Sequence, residues 1–372
     1  MCIRDRTKID WLHRTERFYE KLATPDVTVS DLIGDIDPIK ATNLKLSYSD
    51  EEVIHFGLIP RAHRCIFVLN ELPDLQPRIQ VSLFSILEEK EIQIRGFKVR
   101  LPLDIQFIFT SNPEDYTNRG TIVTPLKDRI GSQILTHYPE SIEIAKKITE
   151  QESKLDSKVI SKIHIPEIAR DIIEQISFEA RESELVDKKS GVSARMSITS
   201  LQNLVSSAER RMIINNEKKT SIRMSDFNSV ISSINGKVEL VYEGEEEGAE
   251  QVSYNLISDA VKSLFNKYFP KIEKLSKPGE ETPYDSLLEW FSQKQLVIGD
   301  SLNDNEYEEL LLEIIDARTI IDKYVKDLDD NDRFFFIEFI LWGLESFNKL
   351  SILRTNNGIE FKDPFNNFIN KI

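Results

Sequence analysis

Cysteine is almost absent from this sequence. The two present, Cys2 and Cys65, are too few for a disulfide framework. Only Cys65 lies in patterned sequence, and a single reduced thiol suits the cytosol, so a cytoplasmic location is expected. Long apolar runs are missing as well. The greasiest stretch, "FFFIEFILWGL" (334–344), is too short to span a bilayer and carries Glu338. It reads as a buried helix, and no membrane partner is expected. An excess of positive charge is also lacking: 48 Lys and Arg stand against 63 Asp and Glu, a net charge of −15. That balance argues against an electrostatic grip on DNA, RNA or anionic lipid. The histidines, His13, His55, His63, His137 and His164, share no metal-ligand spacing. What remains is an ordinary globular composition, 40% apolar and 30% charged, over 372 residues, enough for two or three domains.

The first six residues, "MCIRDR", have no apolar core or cleavage-like site and read as a non-native leader rather than a signal peptide. From residue 7 to 139 short apolar runs alternate with helical segments, the habit of a parallel α/β sheet. "CIFVL" is one strand. "PRIQVSLFSILEEKE" follows as a helix, with Ile79, Leu83, Ile86 and Leu87 on one face and Pro77 near its start. "EIQIRGFKVRLP" reads as a hairpin turning at Arg95-Gly96. "DIQFIFTSN" is a second apolar strand. "TPLKDRIG" has the marks of a short helix, with Thr124 as cap, Pro125 at the first position and Gly131 past the end. Residues 140–235 show helical spacing throughout. The acidic run "YEGEEEGAEQ" (242–251) has no apolar period and places a linker at 236–252. Residues 253–372 form a further helical region, including "EYEELLLEIIDARTIIDKYVKDL".

In a parallel sheet, ligands bind outside the carboxyl ends of strands. Two apolar strands end in polar residues, Asn70-Glu71 and Ser111-Asn112. If those strands are neighbours, about 4.8 Å apart, an acid and an amide can hold one water between them. Nucleotide hydrolysis needs that combination of positioning and electrostatics.

The order of these features resembles the core of AAA+ ATPases. Each has an apolar strand ending in an acidic pair, a helix, a hairpin, a strand ending in Asn, and Asp-Arg on a later helix. The hairpin, with "IPRAHRCIFVLNELPDL", "SLFSILEEKEIQIRG" and "LKDRIG", is similar to the branch holding MoxR-type ATPases and the magnesium chelatase ATPase subunit. The resemblance covers residues 20–235. It implies an incomplete AAA+ parallel-sheet core, an α-helical lid and an α-helical C-terminal region. It further implies ATP hydrolysis with ATP and Mg2+ in a ring, of six subunits as in relatives, and remodelling of a partner. Relatives work with a protein containing a von Willebrand factor A domain. Glu71 matches the Walker-B glutamate that polarises water, and Asn112 the first sensor. Arg129 matches the arginine finger that reaches a neighbouring subunit's nucleotide. Arg195 in "GVSARMS" matches the second sensor, and Arg61 and Arg64 are interface candidates.

There are two departures. Asn70 stands where the Walker-B aspartate is expected, so it could hold Mg2+ only through a water and without charge. No G-x-x-x-x-G-K-[ST] occurs in these 372 residues, so the phosphate cradle is expected to be truncated away and the chain as written inactive. Two alternatives stand beside this reading. One is a chelatase subunit driving metal insertion into a porphyrin, and the other a non-hydrolysing scaffold that lost its P-loop.

Overall fold

The structure, a computed structural model, describes residues 10–47, 50–94, 100–112, 120–272, 282–326, 328–355 and 358–364. The chain forms two compact units, residues 1–136 and 137–372. The leader at 1–6 and the hairpin turn at Arg95-Gly96 lie outside the described residues.

The first unit is α/β. In chain order its strands are β1 (Phe18–Leu22), β2 (Gly34–Ile36), β3 (Ile54–Phe56), β4 (Ile66–Asn70), β5 (Glu91–Gln93), β6 (Arg100–Pro102) and β7 (Gln106–Phe109). Three of them make one parallel sheet in the order β1-β4-β7. Side chains alternate across a strand, so one face of this sheet carries Tyr19, Phe67, Leu69, Phe107 and Phe109. That face packs on a core with Leu72, Ile79, Leu83, Ile86 and Leu126. Phe67 meets Phe107 edge-on, with ring centroids 5.8 Å apart. The opposite face, with Phe18, Leu22, Ile66 and Ile108, is exposed. β5 and β6 pair antiparallel, the arms of the expected hairpin.

Two local expectations are corrected here. The helix expected over 77–91 is two short helices, Pro77–Ser82 and Phe84–Glu89, interrupted at Leu83 (φ −82°, ψ −11°). Leu83 and Ile86 keep their apolar contacts across the break, so spacing alone did not reveal it. The helix Thr124–Arg129 starts one residue earlier than expected. Val123 is its N-cap, and Thr124 gives no capping hydrogen bond.

The second unit is mainly helical, with its principal helices at Ile142–Glu152, Glu167–Glu182, Arg195–Ile214, Ala249–Tyr268 and Arg333–Ser346. It also holds a two-residue parallel pair, β8 (Ile163–His164) and β9 (Thr220–Ser221). Three further strands, β10 (Leu296–Gly299), β11 (Ser351–Thr355) and β12 (Gly358–Lys362), form an antiparallel sheet in the order β10-β12-β11, an addition to the expected helices. The acidic run is not an irregular linker. Residues Tyr242–Glu247 are helical, and the helix from Ala249 begins directly after Gly248 (φ +96°). Glu243 and Glu245 in its first turn favour the helix N-terminus electrostatically, and Gly244 lies close against the Leu185 carbonyl. "EYEELLLEIIDARTIIDKYVKDL" is likewise two helices, Asp304–Leu312 and Ile315–Tyr324.

One hydrophobic cluster joins residues of 163–238 to residues of 252–361. Its centre is the contact between helices 249–268 and 333–346. There Phe265 packs among Phe269, Tyr284, Phe339 and Phe347, with centroids 5.0–6.0 Å apart. Gly343 lets the two helices meet, since a Cβ at that position would lie 2.1 Å from the Phe265 ring. The acid in the greasy helix has a place too. Glu338 is fully buried, and one of its oxygens accepts from Tyr307 Oη (2.7 Å) and from the Met224 N–H (3.1 Å). Around it Arg223 stacks over the Tyr307 ring at 4.0 Å and pairs with Asp304 at 2.8 Å, while Arg211 pairs with Asp226 at 2.6 Å.

Two outcomes are expected. Gly343→Ala lowers stability by about 2 kcal/mol in urea unfolding, because overpacking against Phe265 outweighs the helix-propensity gain of about 1 kcal/mol. Burial, opposed by the Tyr307 hydrogen bond, pushes Glu338 up from 4.5 to about 7. The folded state then holds that proton more tightly than the unfolded state. Stability therefore falls as pH rises from 4.5 to about 7, by up to about 3 kcal/mol, and levels off above that. Urea midpoints across this range are expected to lose that fall in Glu338→Gln.

Candidate functional site

β4 and β7 are hydrogen-bonded neighbours running in the same direction, with Leu69 opposite Phe109. Their carboxyl ends therefore finish side by side, and Asn70-Glu71 lies next to Thr110-Ser111-Asn112. The ladder continues past the strands: the Thr110 N–H donates to Leu69 O (3.1 Å) and the Leu72 N–H to Thr110 O (3.0 Å). The Thr110 hydroxyl adds two further links. It donates to Asn70 Oδ1 (3.1 Å) and accepts from the Glu71 N–H (3.2 Å).

Glu71 itself adopts a left-handed conformation, φ 55° and ψ 51°. For a residue with a Cβ this costs about 1–2 kcal/mol, and such outliers gather at functional sites. The local cause is visible. Leu72 and Pro73 are buried, so the chain must turn at Glu71 to bring them into the core, which leaves the glutamate at the rim. Glu71 is half-buried and Asn112 exposed.

Asn70 is held at both ends of its amide. Its oxygen accepts from Thr110, and its Nδ2 donates to the Glu20 carboxylate on β1. Glu20 and Thr110 were not legible as site residues in the sequence, because nothing in "RFYEKL" or "FIFTSN" marks which residue faces Asn70. The oxygen donors at this strand end, Glu20, Asn70, Glu71 and Thr110, are of the hard type that suits Mg2+. Among the described residues no group of three or more His, Cys, Asp or Glu forms a metal cage.

Arg129 ends the helix Thr124–Arg129. Its guanidinium pairs with Glu88 at 2.6 Å, donates to Pro125 O at 2.8 Å and lies 5.0 Å from the Phe84 ring centroid. Arg61 and Arg64 stand before the start of β4, the opposite end from Glu71, and are not brought together with it. Arg61 lies 3.3 Å from His55 Nε2. Arg64 is left-handed (φ 61°), its N–H donating to Asp104 O in the segment that leads into β7. Next to it, His63 Nδ1 accepts from the Asp104 N–H. Arg195 belongs to the helical unit, as the first residue of helix 195–214, with its N–H on Ser193 Oγ.

Removing the Thr110 hydroxyl as Thr110→Val leaves two polar groups without that partner. It is expected to cost about 0.5–1 kcal/mol in urea unfolding, and Thr110→Ser to recover most of it.

Residues 8–130 match the profile of the AAA domain (dynein-related subfamily). No curated protein matches the chain. Among solved structures, one of those found is a protein from Cytophaga hutchinsonii provisionally described as an ATPase. It is 20% identical, with 65% of this chain and 76% of that one covered, at a TM-score of 0.27. NtrX from Brucella abortus is 13% identical over 68% of this chain at a TM-score of 0.38, and the chain spans 53% of its length. A complex of magnesium chelatase subunits BchI and BchD gives 15% identity, 62% and 72% coverage, and a TM-score of 0.29. The parallel sheet whose adjacent strands end in Asn70-Glu71 and Ser111-Asn112 lies within the residues matched by that AAA-domain profile.

Proposed function

We propose that this chain is part of an AAA+ ATPase that hydrolyses ATP in a ring and uses the resulting motion to remodel a partner. The observation that carries the reading is the meeting of Glu71 and the Ser111-Asn112 segment at neighbouring strand ends. Glu71 takes the proton of the attacking water, and Asn112 orients that water against the terminal phosphate. Mg2+, bound with ATP, would neutralise charge on the phosphates, and Asn70 would help to hold it through a water. Arg129 acts on the nucleotide of a neighbouring subunit after exchanging Glu88 for phosphate. Arg195 contacts phosphate within its own subunit. Arg61 and Arg64, at the far end of β4, belong to the subunit contact rather than to the chemistry. A partner with a von Willebrand factor A domain follows from the MoxR and chelatase resemblance alone.

These 372 residues hold no G-x-x-x-x-G-K-[ST] sequence, so the chain by itself is expected to turn over ATP poorly. The test therefore joins it to a segment bearing a P-loop and follows phosphate release. Glu71→Gln keeps nucleotide binding and lowers turnover about 10²–10⁴-fold, as loss of a general base does. Arg129→Ala subunits mixed with Glu71→Gln subunits regain part of the activity, because each supplies what the other lacks. Unchanged hydrolysis in Glu71→Gln would overturn the reading, and absence of rescue would overturn the ring.

A further inference from the structure

The mostly exposed face of the parallel sheet presents nine positions, eight from three strands and one just past β7: Phe18, Glu20 and Leu22; Ile66, the buried Val68 and Asn70; Gln106, Ile108 and Thr110. Glu20 is the one titratable side chain among them, and its carboxylate accepts from Asn70 Nδ2. We propose that Glu20 is a further residue of this site: from the neighbouring strand it supplies the carboxylate that position 70 lacks, and it positions Asn70 for the strand end that carries Glu71. The proposal rests on reading this strand end as the nucleotide site.

Three observations support it. First, both ends of the Asn70 amide are used, with Nδ2 on Glu20 and Oδ1 on the Thr110 hydroxyl, which in turn accepts from the Glu71 N–H. A continuous line of hydrogen bonds thus runs from Glu20 through Asn70 and Thr110 to the left-handed Glu71 backbone. Second, an aspartate at 70 could still accept from Thr110 but would turn a second carboxylate oxygen toward Glu20. Like charges at that distance oppose each other, so an amide at 70 is the complement of an acid at 20. Third, Glu20 lies opposite Val68, one same-face position inside the strand end, and reaches Asn70 diagonally from the adjacent strand, so the acid sits one strand over from position 70. Glu71 on the turn after β4 is the next carboxylate along this line. On β7 the same face carries only Gln106, Ile108 and Thr110, and on β1 Glu20 is flanked by Phe18 and Leu22.

The test uses the full chain in four forms, wild type, Glu20→Gln, Asn70→Asp and the exchanged pair Glu20→Gln/Asn70→Asp, at low ionic strength. The readout is amide hydrogen exchange of the peptide spanning 66–75, compared with wild type at the same pH. Asn70→Asp is expected to exchange about 2–5-fold faster at pH 8, from two facing carboxylates. The difference should narrow in millimolar Mg2+, which bridges them. The exchanged pair restores donor and acceptor in reversed order and should return to the wild-type rate, without response to Mg2+. Wild-type exchange in Asn70→Asp at pH 8, a difference indifferent to Mg2+, or failure of the exchanged pair to restore the rate would each overturn the proposal. Loss of the ATPase reading would leave this cycle standing, and loss of the cycle would leave the role of Glu71 standing.

Discussion

Parallel pairing of β4 with β7 is the constraint on which the rest of the candidate site depends. A one-residue slip in that register would send Asn70 to the core face and Leu69 to solvent. The phenylalanine pair Phe67 and Phe107, together with Leu69 and Phe109, makes such a slip costly by filling the buried face. Thr110 then extends the pairing by one rung beyond the strands, using its side chain where the backbone ladder runs out. The unusual backbone of Glu71 follows from the same register. With Leu69 fixed and Leu72 drawn inward, one residue must reverse the chain direction.

The helical unit depends on a different device. Its apolar cluster would accept many packings of leucine and phenylalanine, since apolar contact is not directional. Glu338, Tyr307 and the Met224 N–H add directional bonds in the middle of that cluster, while Arg211–Asp226 and Arg223–Asp304 compensate the surrounding charges. An acid in the greasiest helix of the chain therefore ties residues near 224 to residues near 307 and 338.

Much of this was legible from residue order. The strands at 66–70 and 106–109, the hairpin arms and the long helices at 167–182 and 195–214 follow from apolar spacing. The pairing of polar strand ends follows from the rule for parallel sheets. Breaks at Leu83 and Glu313-Ile314 were not legible, because apolar spacing continues smoothly across both. The helical state of the acidic run escaped for the opposite reason: it has no apolar period, and Gly244 owes its place to a contact with Leu185, distant in sequence. Glu20 was invisible as a site residue because its significance depends on which strand lies beside β4. Composition and spacing do not encode that adjacency, and only the fold reveals it.

Parallel sheets ordinarily hide both faces. Here Phe18, Leu22, Ile66 and Ile108 remain in contact with solvent in the folded α/β unit. Unfolding that unit exposes less new apolar area than its length suggests, since part of that area is already wet. Its heat-capacity increment and its sensitivity to denaturant should both be shallow for its size. The two units of one chain would then melt with different cooperativity, for reasons that lie in hydration rather than in the number of bonds each contains.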